Sequence, residues 1–150
     1  MRWPRTAEGG RPAMDMVRRL GLTGPVEGVV GRCRDFAFDA LADWGWLPAL
    51  DQHGEDAVAD VLLVVSELVA NACQHAGGAT ELALHGGPHR VRIEVTDRST
   101  RPPEPRPPGD PARPGGHGLL VVNRLAEDWG CRRRPDGKTV WAALALVTDA

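Results

Sequence analysis

The sequence predicts a single domain of the α/β (α+β) class, in which helices are combined with antiparallel hairpins. Residues 25–46 and 60–77 place apolar side chains at helical spacing, whereas residues 82–96 and 129–147 alternate apolar and polar side chains around turn residues. A hairpin that alternates in this way has one buried face. The chain of 150 residues is long enough for one sizeable core.

The N-terminal part of the chain contains a tail, a short strand and a first helix. Residues 1–14 are rich in Gly, Pro and Arg and are expected to be disordered, which leaves residues 15–150 as the domain. Residues 16–22 predict a short strand, and residues 25–46 a helix that Gly45 ends. The apolar face of this helix is predicted to contain Val26, Val29, Val30, Cys33, Phe36, Ala37, Ala40, Leu41 and Trp44.

The central helix carries an apolar stripe and a polar edge. A loop through residues 48–54 is predicted to precede it. Glu67 and Asn71 lie one helical turn apart, and His75 continues their edge one turn further on. A carboxylate and a carboxamide on such a helix suggest a site for a hard cation or a phosphate. The alternative is a surface Glu followed by an ordinary helix C-cap at residues 76–78.

Two features follow the central helix in the first hairpin and in the segment after it. The turn of the hairpin is predicted at residues 85–88, and Asp97 stands where its second strand ends. Residues 101–114 contain too many prolines for a helix or strand. They are expected to form a flexible linker, a polyproline ligand or a mobile cover over a site. The mobile cover, which we call the lid, would extend over about residues 98–117.

A glycine turn opens the third helix. Gly116, His117 and Gly118 lead directly into an apolar helix that begins near Leu119. Glycines at this position let backbone N–H groups approach an anion, and the helix dipole favours that anion. A closing hairpin then follows, with its turn at residues 135–137. Three consecutive arginines at 132–134 suggest either nucleic-acid contact or, as we prefer in an acidic protein, a solvated sheet edge.

Composition favours a soluble cytoplasmic protein. The net charge of -2 gives no reason to expect nucleic acid or an anionic membrane as a partner. No apolar run reaches membrane-spanning length, and the N-terminus lacks the apolar segment of a secretory signal. The three cysteines are widely spaced and show no zinc-ligand pattern, which is typical of reduced and mostly buried thiols.

Three separated pieces have complementary uses in holding a nucleoside triphosphate. Asn71 offers a neutral oxygen to Mg²⁺, and Asp97 can accept a hydrogen bond from the exocyclic amine of adenine. The glycine turn supplies N–H donors to phosphates. Glu67 lies where it can take a proton from a hydroxyl or water that attacks the γ-phosphate. The ordered combination is more specific than any one part.

With these motifs the sequence resembles the GHKL ATPase superfamily, and within it the small anti-sigma-factor serine kinases abundant in actinomycetes. The resemblance covers about residues 26–146 and is carried by VVSELVANACQHA, RIEVTDRS, GGHGLLVVNRLAEDWG and GKTVWAAL. It implies a two-layer sandwich, with a mixed, mainly antiparallel sheet covered on one face by helices. It also implies ATP and Mg²⁺ as ligands. Its implied site residues are catalytic Glu67, Mg²⁺-binding Asn71 and adenine-binding Asp97, with His75, Gly116, His117, Gly118, Leu119 and Thr139 also in the nucleotide site.

The resemblance further implies a partner-switching regulator that binds a sigma factor and phosphorylates an anti-sigma antagonist on Ser or Thr. It allows a homodimer formed through the sheet side. Two positions depart from the family pattern: Ser99 stands for the Gly of Asp-x-Gly, and His117 for an Arg. They favour the alternative, an ATP-binding interaction module with little or no kinase activity. A sensor histidine kinase is disfavoured because no dimerisation helix pair is evident, and a nucleic-acid binder because of the charge.

Overall fold

The fold is a five-stranded sheet with three helices. A computed structural model describes residues 16–101 and 118–146. The helices are α1 (Val29–Asp43), α2 (Gln52–His75) and α3 (Gly118–Leu125); the strands are β1 (Met16–Gly21), β2 (Ala79–Gly86), β3 (Arg90–Asp97), β4 (Asp128–Arg134) and β5 (Gly137–Ala145). The strand order is β1-β2-β3-β5-β4. The predicted sandwich class is confirmed, and every strand pair in the described residues is antiparallel.

The hydrophobic core lies between the helices and one face of the sheet. The sheet register aligns Leu84, Ile93, Ala142 and Trp129 across four neighbouring strands, and all four are buried. The middle helix α2 packs against α1 and α3 and contacts β2, β3 and β5. Its apolar stripe therefore lies at the centre of the core, as its helical spacing predicts.

Helix α1 is shorter than the sequence predicts. It begins at Val29 because Gly28 precedes it with φ 75°, a left-handed conformation that a helix interior does not accommodate. Val26 therefore lies outside the helix and is half exposed. At the other end the helix stops at Asp43, and Gly45 adopts φ 86°. The glycine stop was predicted, whereas the start at residue 25 was wrong.

Helix α2 is longer than predicted at its N-terminus. The Asp51 side chain caps the helix by accepting a hydrogen bond of 2.8 Å from the Gly54 backbone N–H, so residues 52–54 are helical rather than loop. At the other end, Gly77 adopts φ 72° and the Gly78 N–H donates to the Ala72 carbonyl at 3.0 Å. This is the glycine-based termination that the sequence predicts at residues 76–78.

The sheet face away from the helices is not the solvated polar face that alternation predicts. Strand β2 extends through Gly86, so His85 lies in a strand instead of a turn. Its Nε2 lies 3.2 Å from Glu94 Oε1, and the Arg92 Nε donates to Glu94 Oε2 at 2.9 Å. The Arg92 guanidinium also lies 4.1 Å from the centre of the Trp141 ring. These charges are buried because they are paired with one another.

Two further predictions concern cysteines and membranes. Cys33 and Cys131 are buried, Cys73 is half-buried, and all three are free thiols, as expected. Burial raises the pKa of the Cys33 thiol to about 11, so this thiol stays protonated. No helix within residues 16–101 and 118–146 is long and apolar enough to cross a bilayer.

Candidate functional site

The polar edge of α2 is formed by residues one turn apart. Glu67 and Asn71 are half-buried, and each is followed directly by a core residue, Leu68 or Ala72. His75 is exposed and is the last residue of the helix. The helix therefore holds a carboxylate and a carboxamide at the border between core and solvent, where a bound molecule could reach them.

Asp97 is buried at the end of β3 on the side of the sheet that faces the helices. It continues the alternation of Val91, Ile93 and Val95, which are all core residues, and is 3% exposed. Its Oδ1 accepts hydrogen bonds from the Ser99 N–H at 2.8 Å and from the Lys138 Nζ at 3.0 Å. A buried carboxylate with two donors on one oxygen is firmly oriented, with Oδ2 left for another donor.

The end of α2 and the end of β3 lie at the same end of the sheet. Ala79, the first residue of β2, pairs directly with Asp97. Only three residues separate Ala79 from the end of α2, and the Gly78 N–H is bonded to the last turn of that helix. The chain thus brings the C-terminal end of α2 to the strand end that carries Asp97. That Asn71, His75 and Asp97 contact one nucleotide stays a prediction.

Gly137 lets β5 approach the site closely. A Cβ at this position would overlap the Asp97 carbonyl oxygen and lie 2.9 Å from the Arg98 Cα. No room exists there for any side chain. Ser99 needs no such freedom, because no residue other than glycine has a positive φ in the described residues. Its backbone N–H bond to Asp97 is made although the family pattern has glycine at this position.

Thr139 is not brought to Asp97. Its hydroxyl lies 2.9 Å from the Thr96 hydroxyl, and Thr96 and Thr139 are paired residues on the opposite face of the sheet. The residue on the Asp97 side is Lys138, which the sequence reasoning missed. The sequence does contain a signal for Lys138. Val140, Ala142 and Leu144 are core residues of β5, and Lys138 stands two residues before Val140, so alternation places its side chain on the same face.

Comparison with known proteins identifies the family. The family model described as the histidine kinase-like ATPase domain matches residues 34–144. The chain belongs to this family. The ATPase domain is also similar to a solved structure described as the RsbU and RsbW domains of Rv1364c from Mycobacterium tuberculosis, with a TM-score of 0.60 and 21% sequence identity. The similarity covers 89% of this chain and 34% of that chain, and it shows a shared fold. No curated relative matches the chain.

Only part of the predicted glycine turn lies within the residues that the structure describes. Leu119 is 4% exposed and belongs to the hydrophobic core. Gly118 is the first residue of α3. Gly116 and His117, together with most of the predicted lid, lie outside the described residues. The predicted phosphate contacts of the glycine turn therefore stay predictions.

The described side chains fit Mg²⁺ only as an ion shared with phosphates. Within residues 16–101 and 118–146, no group of three or more His, Cys, Asp or Glu side chains is arranged to hold a metal. Mg²⁺ commonly takes one or two oxygen ligands from protein and completes its shell with phosphate and water oxygens. The half-buried Asn71 carboxamide, one turn from Glu67, matches that requirement.

Proposed function

We propose that this ATPase domain binds ATP with Mg²⁺ and acts as an anti-sigma-factor-like serine/threonine kinase in a partner-switching system. In that role it binds a sigma factor and phosphorylates an anti-sigma antagonist. The observation that carries the proposal is the buried, oriented Asp97. It lies at the end of the sheet where α2, the helix that bears Glu67 and Asn71, terminates. The family match to a histidine kinase-like ATPase domain supports nucleotide binding.

Each site residue has a role that follows from its chemistry. Asp97 Oδ2 accepts the exocyclic amine of adenine, while Ser99 and Lys138 hold the carboxylate in place through Oδ1. Asn71 holds Mg²⁺, which supplies positive charge to the phosphates of ATP. Glu67 accepts the proton of the attacking hydroxyl, because it is a half-buried carboxylate one turn from Asn71.

Further residues are proposed to contact the phosphates and the rest of the nucleotide. The N–H groups of Gly116, His117, Gly118 and Leu119 would bind phosphate oxygens at the start of α3. His75, exposed at the end of α2, would lie at the rim of the pocket. The choice of sigma factor and antagonist as partners rests on the motif resemblance, and the shared fold with the mycobacterial structure is compatible with it.

The nucleotide part of the proposal is tested by titration with ATP. Calorimetry with and without Mg²⁺ should show binding by the wild-type protein, strong weakening in Asp97→Ala, and loss of the Mg²⁺ dependence in Asn71→Ala. Glu81→Gln is a suitable control, since it removes an exposed ion pair with Arg19 on the other face of the sheet. Absence of heat with ATP in the wild-type protein would overturn nucleotide binding.

The kinase part needs a separate experiment. The protein incubated with ATP, Mg²⁺ and candidate antagonists from its genomic neighbourhood should produce phosphoserine or phosphothreonine, detected by mass spectrometry. Glu67→Gln should abolish transfer and retain ATP binding, because it removes the proton acceptor and keeps the size of the side chain. Equal transfer by Glu67→Gln and wild type would contradict the assigned role of Glu67.

The second candidate is an ATP-binding interaction module without transferase activity. His117 favours it, because His lacks the permanent charge and forked donors of the Arg that the family pattern has there. Ser99 does not favour the interaction module, because its backbone N–H still donates a hydrogen bond to Asp97. ATP binding without any phosphotransfer, combined with partner binding that Glu67→Gln leaves unchanged, would select this module. The homodimer through the sheet side stays a prediction.

A further inference from the structure

Lys138 has an unusual combination of identity and position. It is the only lysine among 150 residues, whereas the other 17 of the 18 basic Lys and Arg residues are arginine. Only 4% of its surface is exposed, although lysine is rarely buried unless it is paired. A chain that otherwise uses arginine throughout thus places one compact ammonium group against the carboxylate of the candidate site.

The ammonium group has more donors than the described residues satisfy. Lys138 carries three N–H donors, and the Asp97 Oδ1 takes one of them at 3.0 Å. No other acceptor for Nζ is found within residues 16–101 and 118–146. A side chain this deeply buried normally has its donors satisfied, so the two remaining N–H groups indicate a place for an acceptor from a ligand.

The Asp97–Lys138 pair presents a hydrogen-bond donor, the Lys138 ammonium group, beside an acceptor, the Asp97 carboxylate. Asp97 Oδ1 is occupied by Ser99 and Lys138, and no described residue donates to Oδ2. Oδ2 belongs to the carboxylate whose Oδ1 lies 3.0 Å from Nζ, so it is close to the N–H groups of Nζ for which the described residues provide no acceptor. The Watson–Crick edge of adenine has the complementary order, with the donor 6-amino group beside the acceptor ring nitrogen N1.

We propose that Lys138 reads the adenine base directly, by donating a hydrogen bond to N1 while Asp97 accepts the 6-amino group. This inference rests on the proposed function, because it names a specificity contact within the same nucleotide site. It differs from the alternative in which the ion pair only neutralises and orients Asp97. In that alternative Lys138 acts through the carboxylate and is indifferent to the identity of the atom at N1.

The test compares ATP with 1-deaza-ATP, in which N1 is replaced by C–H. Dissociation constants of both nucleotides are measured by calorimetry for wild type, Lys138→Met and the control Arg133→Gln. Arg133 is the cross-strand partner of Lys138 on β4 and is exposed, so the control removes a nearby positive charge without a base contact. A hydrogen bond to a charged donor predicts that wild type and Arg133→Gln bind 1-deaza-ATP about 10- to 100-fold more weakly than ATP. In Lys138→Met the two constants should agree within about threefold.

The outcomes separate this inference from the proposed function. If wild type binds neither nucleotide, the proposed function fails, and this inference with it. If wild type binds ATP but the ratio of the two constants is the same in Lys138→Met, the inference is overturned and the proposed function stands. Equal weakening of both nucleotides in Lys138→Met is the result expected of a purely orienting ion pair, and it would also overturn the inference.

A second measurement covers the case in which Lys138→Met does not fold. Protein labelled with ¹⁵N only in lysine has a single side-chain Nζ signal, since Lys138 is the sole lysine. Saturation with ATP should shift this signal, and saturation with 1-deaza-ATP should give a different shift that lacks the effect of the N1 contact. Identical Nζ signals in the two complexes would overturn the proposal.

Discussion

At the scale of single residues, Gly137 has the least room for a side chain among the glycines of the described residues. A methyl group there would overlap the backbone at Asp97 and approach the Arg98 Cα to 2.9 Å, so β3 and β5 would have to separate. We expect Gly137→Ala to lower the free energy of unfolding by about 1 to 3 kcal/mol and to weaken ATP binding. Chemical denaturation and calorimetry measure the two effects.

Gly31 offers a matched control for this substitution. It lies in α1 and is exposed, and a methyl group added to its Cα would have no atom of another element within 4 Å. Gly31→Ala should therefore stabilise the protein by roughly 0.5 to 1 kcal/mol, because alanine is the better helix former. A Gly137→Ala protein as stable as wild type would show that the strands adjust more easily than the structure indicates.

Glu94 is the residue from which a dependence on pH is expected. Burial alone would raise the pKa of its carboxyl group, but hydrogen bonds from His85 and Arg92 and their charges outweigh burial and lower the pKa from 4.5 to about 2. The carboxylate therefore stabilises the fold above about pH 4.5, and its contribution is lost as the pH falls towards 2. That contribution is on the order of 3 kcal/mol at neutral pH.

Unfolding measured by denaturant between pH 6 and pH 2.5 checks this expectation. The wild-type free energy of unfolding should fall steeply below about pH 4.5, and Glu94→Gln should show a shallower fall from a lower starting value. Glu81→Gln serves as comparison, since its ion pair with Arg19 is solvent-exposed and contributes little. Parallel curves for wild type and Glu94→Gln would contradict the assigned role of the buried carboxylate.

At the scale of elements, the start of α2 depends on one side chain. Asp51 caps the helix that carries Glu67 and Asn71, through its hydrogen bond to the Gly54 N–H. Asp51→Ala should cost about 1 kcal/mol of stability, whereas Asp39→Ala, at an exposed position inside α1, should change it by less than about 0.5 kcal/mol. Denaturant unfolding of the two variants distinguishes them. Equal effects would mean that the cap is replaceable by water.

The same elements show what periodicity can and cannot predict. Apolar spacing located α1 and α2 because side-chain burial alone determines that spacing. It misplaced their starts because Gly28 and Asp51 act through backbone conformation and capping, which leave no trace in apolar spacing. It also predicted a solvated outer face for β3, since a buried ion pair such as Arg92 with Glu94 has the same residue pattern as an exposed one.

At the scale of the whole molecule, ligand binding should raise stability by mass action. At a concentration 100 times the dissociation constant, ATP with Mg²⁺ should add about 2.7 kcal/mol to the free energy of unfolding. For a domain of this size that corresponds to an increase in Tm of roughly 5 to 10 °C. Differential scanning fluorimetry should show the shift for wild type and Glu81→Gln but not for Asp97→Ala; a shift retained in Asp97→Ala would remove Asp97 from the site.

Local motifs and strand register contribute differently to the candidate site. Asn71 and Asp97 were selected as candidates because each belongs to a motif of adjacent letters. The sequence analysis selected Thr139 and missed its neighbour Lys138. Only the strand register shows that Lys138 is the one on the helix-facing side, beside Asp97. The ion pair between Asp97 and Lys138 joins residues 41 positions apart, so no local sequence pattern predicts it.

The position of the Asp97–Lys138 pair has a mechanical consequence. It joins β3 and β5, the third and fourth of the five strands, so each of its strands is hydrogen-bonded on both sides. A base bound there as proposed would contact two interior strands, which should be displaced very little. Under the proposed function, we therefore expect a change that reports an occupied site to another protein to occur in the helices and connecting segments around the sheet, with the sheet itself keeping its shape.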